Sequence, residues 1–144
     1  MTDHAVLDPD DFPKIAVASM EATHHEEIEL VNEIGQLILD GQAGELDEEA
    51  LRARLEAWIE HTRAHFAREN KLMEEYAFPA SSVHSNEHHQ SLAGLEAVCQ
   101  AWREEGDLQP LADYVFHHWP EWFRRHVATM DTMTALFLSQ RGVQ

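Results

Sequence analysis

The sequence predicts an all-α fold, an up-down-up-down four-helix bundle, on three observations. Four long segments carry apolar residues at helical spacing. The gaps between them are short and hold Gly41, Gly44, Pro79 and Gly106. No useful length of chain alternates apolar and polar residues as a strand would. At 144 residues the chain is one domain by length, 1–144, with residues 1–11 as an N-terminal arm and helices at about 12–39, 47–76, 81–104 and 108–139.

The first helix places Met20, His24, Ile28, Val31, Ile34 and Gly35 on one face, with Asp10 and Asp11 ahead of it as N-cap types. The second aligns Leu51, Leu55, Trp58, His65, Leu72, Met73 and Tyr76. Asp47 precedes it as a cap, and Glu48 and Glu49 sit where the helix dipole favours acids. The third has the cleanest stripe: His84, His88, Leu92, Leu95, Cys99 and Trp102, with Ser81 or Ser82 as its cap. The fourth carries Trp119, Trp122 or Phe123, His126, Met130, Met133 and Phe137 behind Asp107. Pro110 falls in its first turn, where proline is tolerated; Pro120 falls inside and is expected to kink the helix or divide it.

Composition narrows the function. Lys and Arg total 10 against 27 Asp and Glu, a formal net charge of −17. Such a chain repels phosphate backbones and anionic lipid, so nucleic acid and membrane surfaces are not expected partners. No run of apolar residues is long enough for a membrane span. The first fourteen residues are acidic and lack the apolar centre of a signal peptide. One cysteine, Cys99, excludes an internal disulfide and cysteine-rich metal sites, and a reducing cytoplasm is the expected location. Histidine stands out at 11 residues, where ordinary composition gives roughly two or three. Many histidines without cysteine point to nitrogen and oxygen ligation of a transition metal.

The helices order these histidines. Helix two holds His65-x3-Glu69, helix three His84-x3-His88 and helix four His126-x4-Asp131. Residues four apart lie about 40° apart around a helix, on one face. The i, i+5 pair is splayed by about 140° in ideal geometry and needs side-chain reach. Each pair alone is weak, since His61/His65 and His117/Glu121 have the same four-residue spacing by accident. Their order, and their position on the apolar stripe of each helix, carry more weight. A buried cluster of five histidines and two carboxylates needs partners for its polar atoms.

Read in order, the set resembles the hemerythrin family: a lone His on helix one, then H-x3-E, H-x3-H and H-x4-D. The stretches HFARENKLMEEYAFPASSVHSNEH and WFRRHVATMD look like that family's second-to-third and fourth helices, and the resemblance covers about residues 16–138. The family's helix one places an Asn eight residues after the ligand, and Asn32 stands eight after His24, so His24 rather than His25 is taken as the lone His. Thr134 stands where many members carry Tyr.

The resemblance implies two iron ions as cofactor. His84, His88 and His126 would hold one, His24 and His65 the other, with Glu69, Asp131 and an oxo or hydroxo ligand as bridges. Two ferrous ions against two carboxylates and one hydroxide leave a local charge of about +1, tolerable in a bundle core. The two-histidine iron keeps an open position, which implies reversible dioxygen binding for storage, delivery or sensing, without catalysis and without catalytic residues. A di-iron enzyme consuming peroxide, nitric oxide or dioxygen, and an iron- or redox-responsive regulator, are the alternatives. Oligomeric state is not legible. Ile28, Phe66, Leu92, Trp119 and Trp122 or Phe123 are expected as apolar walls. A ferritin-like site would need two Glu-x-x-His motifs, and only Glu21/His24 has that spacing; no HExxH motif exists. His4, His25, His61, His89, His117 and His118 are expected at the surface.

Overall fold

The computed structural model describes residues 4–12 and 14–144; residues 1–3 of the expected arm and residue 13 of the expected first helix lie outside the described residues. Asp10 and Asp11 do not cap the first helix. Asp8 accepts the Asp10 N–H at 2.9 Å and starts a separate short turn, Pro9–Asp11. The first helix, α1 (Ala18–Gln42), begins later than expected, at Val17, with no side-chain cap. Tertiary packing sets that start: Leu7, Ile15 and Val17 are all buried. Asn32 ties the arm down, its Oδ1 accepting the Val6 and Leu7 N–H groups at 2.8 and 2.9 Å and its Nδ2 donating to the Leu7 carbonyl at 2.8 Å.

α2 (Glu48–Glu75) is capped as expected: Asp47 Oδ1 accepts the Ala50 N–H at 3.0 Å. Its end is a Schellman turn. The Phe78 N–H reaches the Met73 carbonyl at 2.9 Å and the Ala77 N–H reaches Glu74 at 3.2 Å. That turn puts Ala77 at φ 53°, a conformation glycine adopts more readily. Burial of Met73 and Phe78 on its inner side holds it. α3 (Ser81–Glu105) starts after Ala80 rather than after a serine cap and stops at Gly106, which takes φ 72° as its left-handed cap. Loops this short make successive helices antiparallel neighbours.

The fourth rod departs most from expectation. Pro120 does not divide it. Helical backbone runs from Leu108 to Ser139 as α4 (Leu108–Asp113), a π turn (Tyr114–His118), α5 (Trp119–His126), a second π turn (Val127–Asp131) and α6 (Thr132–Ser139). The first π turn ends at His118, two residues before Pro120, with the Trp119 N–H bonded back to Tyr114. A π turn adds one residue to the coil, so the helix accommodates proline by a change of winding rather than a break.

All four rods are helices and the described residues hold no strand. One half of the bundle is apolar, filled by Ile34, Ile38, Leu51, Leu55, Trp58, Leu95, Cys99, Leu111 and Val115. The other half buries the polar set. It lies early in α1, late in α2, early in α3 and late in rod four, which antiparallel packing brings to one level.

Candidate metal centre

All seven sequence-derived residues are buried, none more than 4% exposed: His24, His65, Glu69, His84, His88, His126 and Asp131. They fall into two groups that could hold a metal ion. One is His84, His88, His126 and Asp131; the other is His24, His65 and Glu69. Within each group the donor atoms lie within 4.8 Å of one another. The carboxylates join the groups. Asp131 Oδ2 lies 2.8 Å from His24 Nε2, while its Oδ1 lies 3.1 Å from both His84 Nε2 and His126 Nε2. Glu69 Oε2 lies 2.5 Å from His65 Nε2, while its Oε1 lies 3.3 Å from His88 Nε2 and 3.7 Å from His84 Nε2.

The i, i+5 pair needs no side-chain reach. The second π turn spans the residues from Val127 to Asp131, and the Thr132 N–H bonds to Val127, five residues back. In this wider winding residues five apart stack on one face, so the backbone itself brings Asp131 under His126. Helical periodicity alone does not reveal this local winding.

Four of the five histidines share one orientation. The outer nitrogen, Nδ1, of each meets an acceptor. His65 donates to Glu27 Oε1 at 3.3 Å, His84 to Thr134 Oγ1 at 2.8 Å, His88 to Asn70 Oδ1 at 2.8 Å and His126 to Glu87 Oε1 at 2.9 Å. The Thr134 hydroxyl directs its own proton toward Met73 Sδ at 4.0 Å, leaving its oxygen to accept. With Nδ1 donating outward, the neutral ring at each of these four positions turns the lone pair of Nε2 toward the centre, the arrangement that holds metal-binding imidazoles in position. His84 Nε2 and His126 Nε2 stand 3.1 Å apart. Glu69 Oε1, His88 Nε2 and Asp131 Oδ1 are buried and make no hydrogen bond within the protein. Lone pairs crowded this closely need shared cations, and a set of imidazoles and carboxylates suits iron.

Charge follows the same geometry. Burial and the neighbouring Asp131 work against ionisation of Glu69, but His65 and His88 outweigh them and hold it down to about 2. Burial likewise opposes the Asp131 charge, and His126, His24 and His84 pull it well below its ordinary value. Burial disfavours charge on His65, yet Glu69 and Glu27 raise it well above the usual range. His88 goes the other way, to about 4, because burial and two neighbouring histidines outweigh Glu69.

Aromatic rings close the centre. Phe66 stacks on His88 with centroids 4.0 Å apart, Trp122 on His126 at 4.6 Å, and Phe123 meets His24 edge-on at 5.6 Å. Trp119 stands behind Phe123 at 4.6 Å, and Ile28 is buried, while Leu92 is only partly so. His4, His25, His89, His117 and His118 are exposed; His61 is partly buried, leaning on Glu26 at 3.4 Å.

Sequence reasoning missed Glu27, Asn70 and Glu87. Glu27 is 2% exposed and backs His65, and burial notwithstanding, His61 and His65 bring it down to about 2. Its signal was available: three residues after His24, it shares the ligand's face of α1. Thr134, a departure from the family pattern in the sequence, anchors His84. Asn32, used to choose His24, lies away from the centre and holds the arm.

Comparison with known proteins agrees with the helices and the buried donors. The Hemerythrin HHE cation binding domain matches residues 15–135. A Bacteriohemerythrin of Ralstonia nicotianae is 42% identical over 91 residues, 61% of this chain and 63% of that relative's length. A Bacteriohemerythrin of Aquifex aeolicus is 24% identical over 130 residues, covering 90% of this chain and 95% of the relative. No solved structure matches significantly. Among the described residues no helix is long and apolar enough to cross a membrane. A helical bundle with clustered, buried, inward-facing His, Glu and Asp donors, matched by this domain over most of its length, belongs to the hemerythrin family.

Proposed function

We propose that this chain is a non-haem di-iron protein that binds dioxygen reversibly. In this reading His84, His88 and His126 would hold one iron and His24 and His65 the other, with Glu69 and Asp131, whose oxygens face both groups, holding the pair together. The observation that carries the reading is the common orientation of four of the histidines, each supported ring presenting a lone pair to a buried centre between two carboxylates. An iron pair bound there would supply the two electrons that dioxygen takes up and gives back.

The chain's own residues favour binding over turnover. Glu27 and Glu87, the further carboxylates at the centre, are engaged with the outer nitrogens of His65 and His126, so neither is placed as a general acid facing inward. Phe66, Trp122 and Phe123 exclude water from the histidine rings. Storage, delivery or sensing of dioxygen fits such a non-catalytic module. We read the chain as one domain working in the cytoplasm, consistent with a lone buried cysteine whose thiol burial pushes up to about 12.

The test is anaerobic reduction with iron, then exposure to air under an absorption spectrometer. A charge-transfer band that appears with oxygen and vanishes on deoxygenation supports reversible binding. A band that decays with consumption of oxygen or peroxide favours the enzyme. Absence of any oxygen-dependent spectrum overturns the function and spares the fold.

A further inference from the structure

We propose that Trp119, Trp58 and Tyr114 form a redox relay that carries a one-electron oxidation from beside the metal centre to the surface, ending as a tyrosyl radical on Tyr114. The relay is a property of these rings; its service to the centre rests on the di-iron reading. The row starts at His24, which Phe123 meets edge-on at 5.6 Å. Trp119 stacks on Phe123 at 4.6 Å with the planes 17° apart. Trp58 meets Trp119 edge-on at 5.5 Å and lies 6.1 Å from Tyr114. His118 stacks on Tyr114 at 5.5 Å. Every step lies within the roughly 4.5–7 Å over which aromatic rings are in contact. The row passes from buried Trp119 and Trp58 to partly exposed Tyr114 and exposed His118. Tyr76, the other tyrosine, is exposed near the end of α2 and stands outside the row.

The surroundings give the row a direction. Trp58 Nε1 is buried without a hydrogen-bond partner. An indole cation formed there finds no base for its N–H proton, so it stays a strong oxidant instead of settling as the neutral radical. It is also an uncompensated charge in the apolar half of the bundle, which favours passing the oxidation on. Tyr114 is placed differently. With His118 and Trp119 it lines a pocket of about 60 Å³, room for about one or two waters. A phenol beside water and a histidine can lose its proton as it loses its electron. Until then it keeps that proton, because burial, with Cys99 and Glu27 nearby, pushes the phenol above its ordinary range.

The oxidant is named by the chemistry of the proposed centre. An iron pair that loses bound dioxygen as peroxide meets peroxide again as ferrous iron, and that cleavage yields hydroxide and a hydroxyl radical. The radical takes one electron from Trp119 across Phe123 and becomes a second hydroxide. Trp119 recovers its electron from Trp58, and Trp58 from Tyr114. The Tyr114 phenol gives its proton to water in the pocket, and that proton neutralises the hydroxide. The net change turns hydroxyl radical and tyrosine into water and tyrosyl radical. A soluble thiol then returns one hydrogen atom to Tyr114 and leaves as a thiyl radical. The oxidation thus ends at the surface and not on the ligand histidines.

Pulse radiolysis tests the relay on the full chain with whatever metal it carries. The dibromide radical anion takes an electron from tryptophan in preference to tyrosine near neutral pH. The tryptophanyl band in the green should then decay as the tyrosyl band in the violet rises, at a first-order rate independent of protein concentration. Tyr114→Phe should abolish the rise, and Tyr76→Phe should leave it. Trp58→Phe should slow it several-fold; if that variant does not fold by circular dichroism, Tyr114→Phe, which loses a single hydroxyl, decides alone. A rise that survives Tyr114→Phe, or keeps its rate in a folded Trp58→Phe, would overturn the proposal. Service to the centre is tested by mixing hydrogen peroxide with the ferrous protein and freezing it. Electron paramagnetic resonance should show a tyrosyl signal that ring-deuterated tyrosine narrows and Tyr114→Phe removes. Peptide mass spectrometry should find oxidation of Trp119 and of the ligand histidines raised several-fold in Tyr114→Phe. Iron-loaded protein that gives no such signal, and the same oxidation with or without the Tyr114 hydroxyl, would overturn the link to the centre. A chain that binds no iron defeats the di-iron reading instead, and radiolysis still decides the relay.

Discussion

The two halves of the centre are closed to different degrees. His84, His88 and His126 have three separate outer partners, Thr134, Asn70 and Glu87, and two of the rings are covered by flat aromatic stacking. On the other side His65 has one outer partner, Glu27, none is found for His24 among the described residues, and a cleft reaches His65 and Glu69. In the proposed reading, one half would hold its ion with all three rings fixed, and the other would hold an ion and still admit a ligand. Asymmetry of this kind is what reversible binding asks of a metal pair: a firm anchor beside a site with coordination to spare.

The largest effect should follow removal of the group common to both halves. Asp131→Ala should take iron from about two per chain to well under one, because its carboxylate faces His24, His84 and His126 together. Elemental analysis of the purified variant checks it, and full iron would dissolve the idea of a shared bridge. Next, His126→Ala and His24→Ala should separate the halves. His126→Ala should strip the anchored iron and weaken the pair, whereas His24→Ala should leave about one iron per chain.

Smaller effects probe the outer partners. Glu27→Gln keeps the shape and removes the charge behind His65, and should weaken metal affinity by about 10- to 100-fold. A competition titration against a chelator reads this directly; an unchanged affinity would mean that Glu27 only fills space. Acid should unfold the iron-free chain along a defined path. Glu27 and Glu69 sit near 2 when folded against 4.5 ordinarily, so their stabilisation is complete above about 4.5 and is lost as pH falls toward 2. His88, lowered from 6.5 to about 4, adds a loss in the same direction between those values. Melting temperature against pH measures the sum, and a flat profile from pH 6.5 to 3 would contradict it. The smallest change should come from His61→Ala, which lies outside the seven and should hold iron within about twofold of the parent. Equal iron loss in His61→Ala and His126→Ala would move the register of α2.

Much of this was legible in the sequence, for physical reasons that particular residues make plain. His65/Glu69 and His84/His88 lie on regular α-helix, where four-residue spacing fixes a face, so their convergence follows from the letters. Asp47 and Asp107 cap their helices because a local side chain suffices, their oxygens accepting Ala50 and Gln109 N–H at 3.0 Å each. The rest depended on tertiary context. The start of α1 is set by burial of Ile15 and Val17 rather than by Asp10 or Asp11. Winding in rod four changes twice, once just ahead of Pro120 and once between His126 and Asp131, and ideal periodicity assumes one winding throughout. Outer partners such as Asn70 and Glu87 come from a neighbouring helix, a relation that spacing within one helix does not encode.

One measurement addresses the metal pair directly: an anomalous difference map at the iron edge, from crystals of the iron-loaded protein. The account predicts two peaks a few ångströms apart, one against His84, His88 and His126 and one against His24 and His65, with Glu69 and Asp131 reaching both. A lone peak, or iron lodged anywhere else in the bundle, would contradict it.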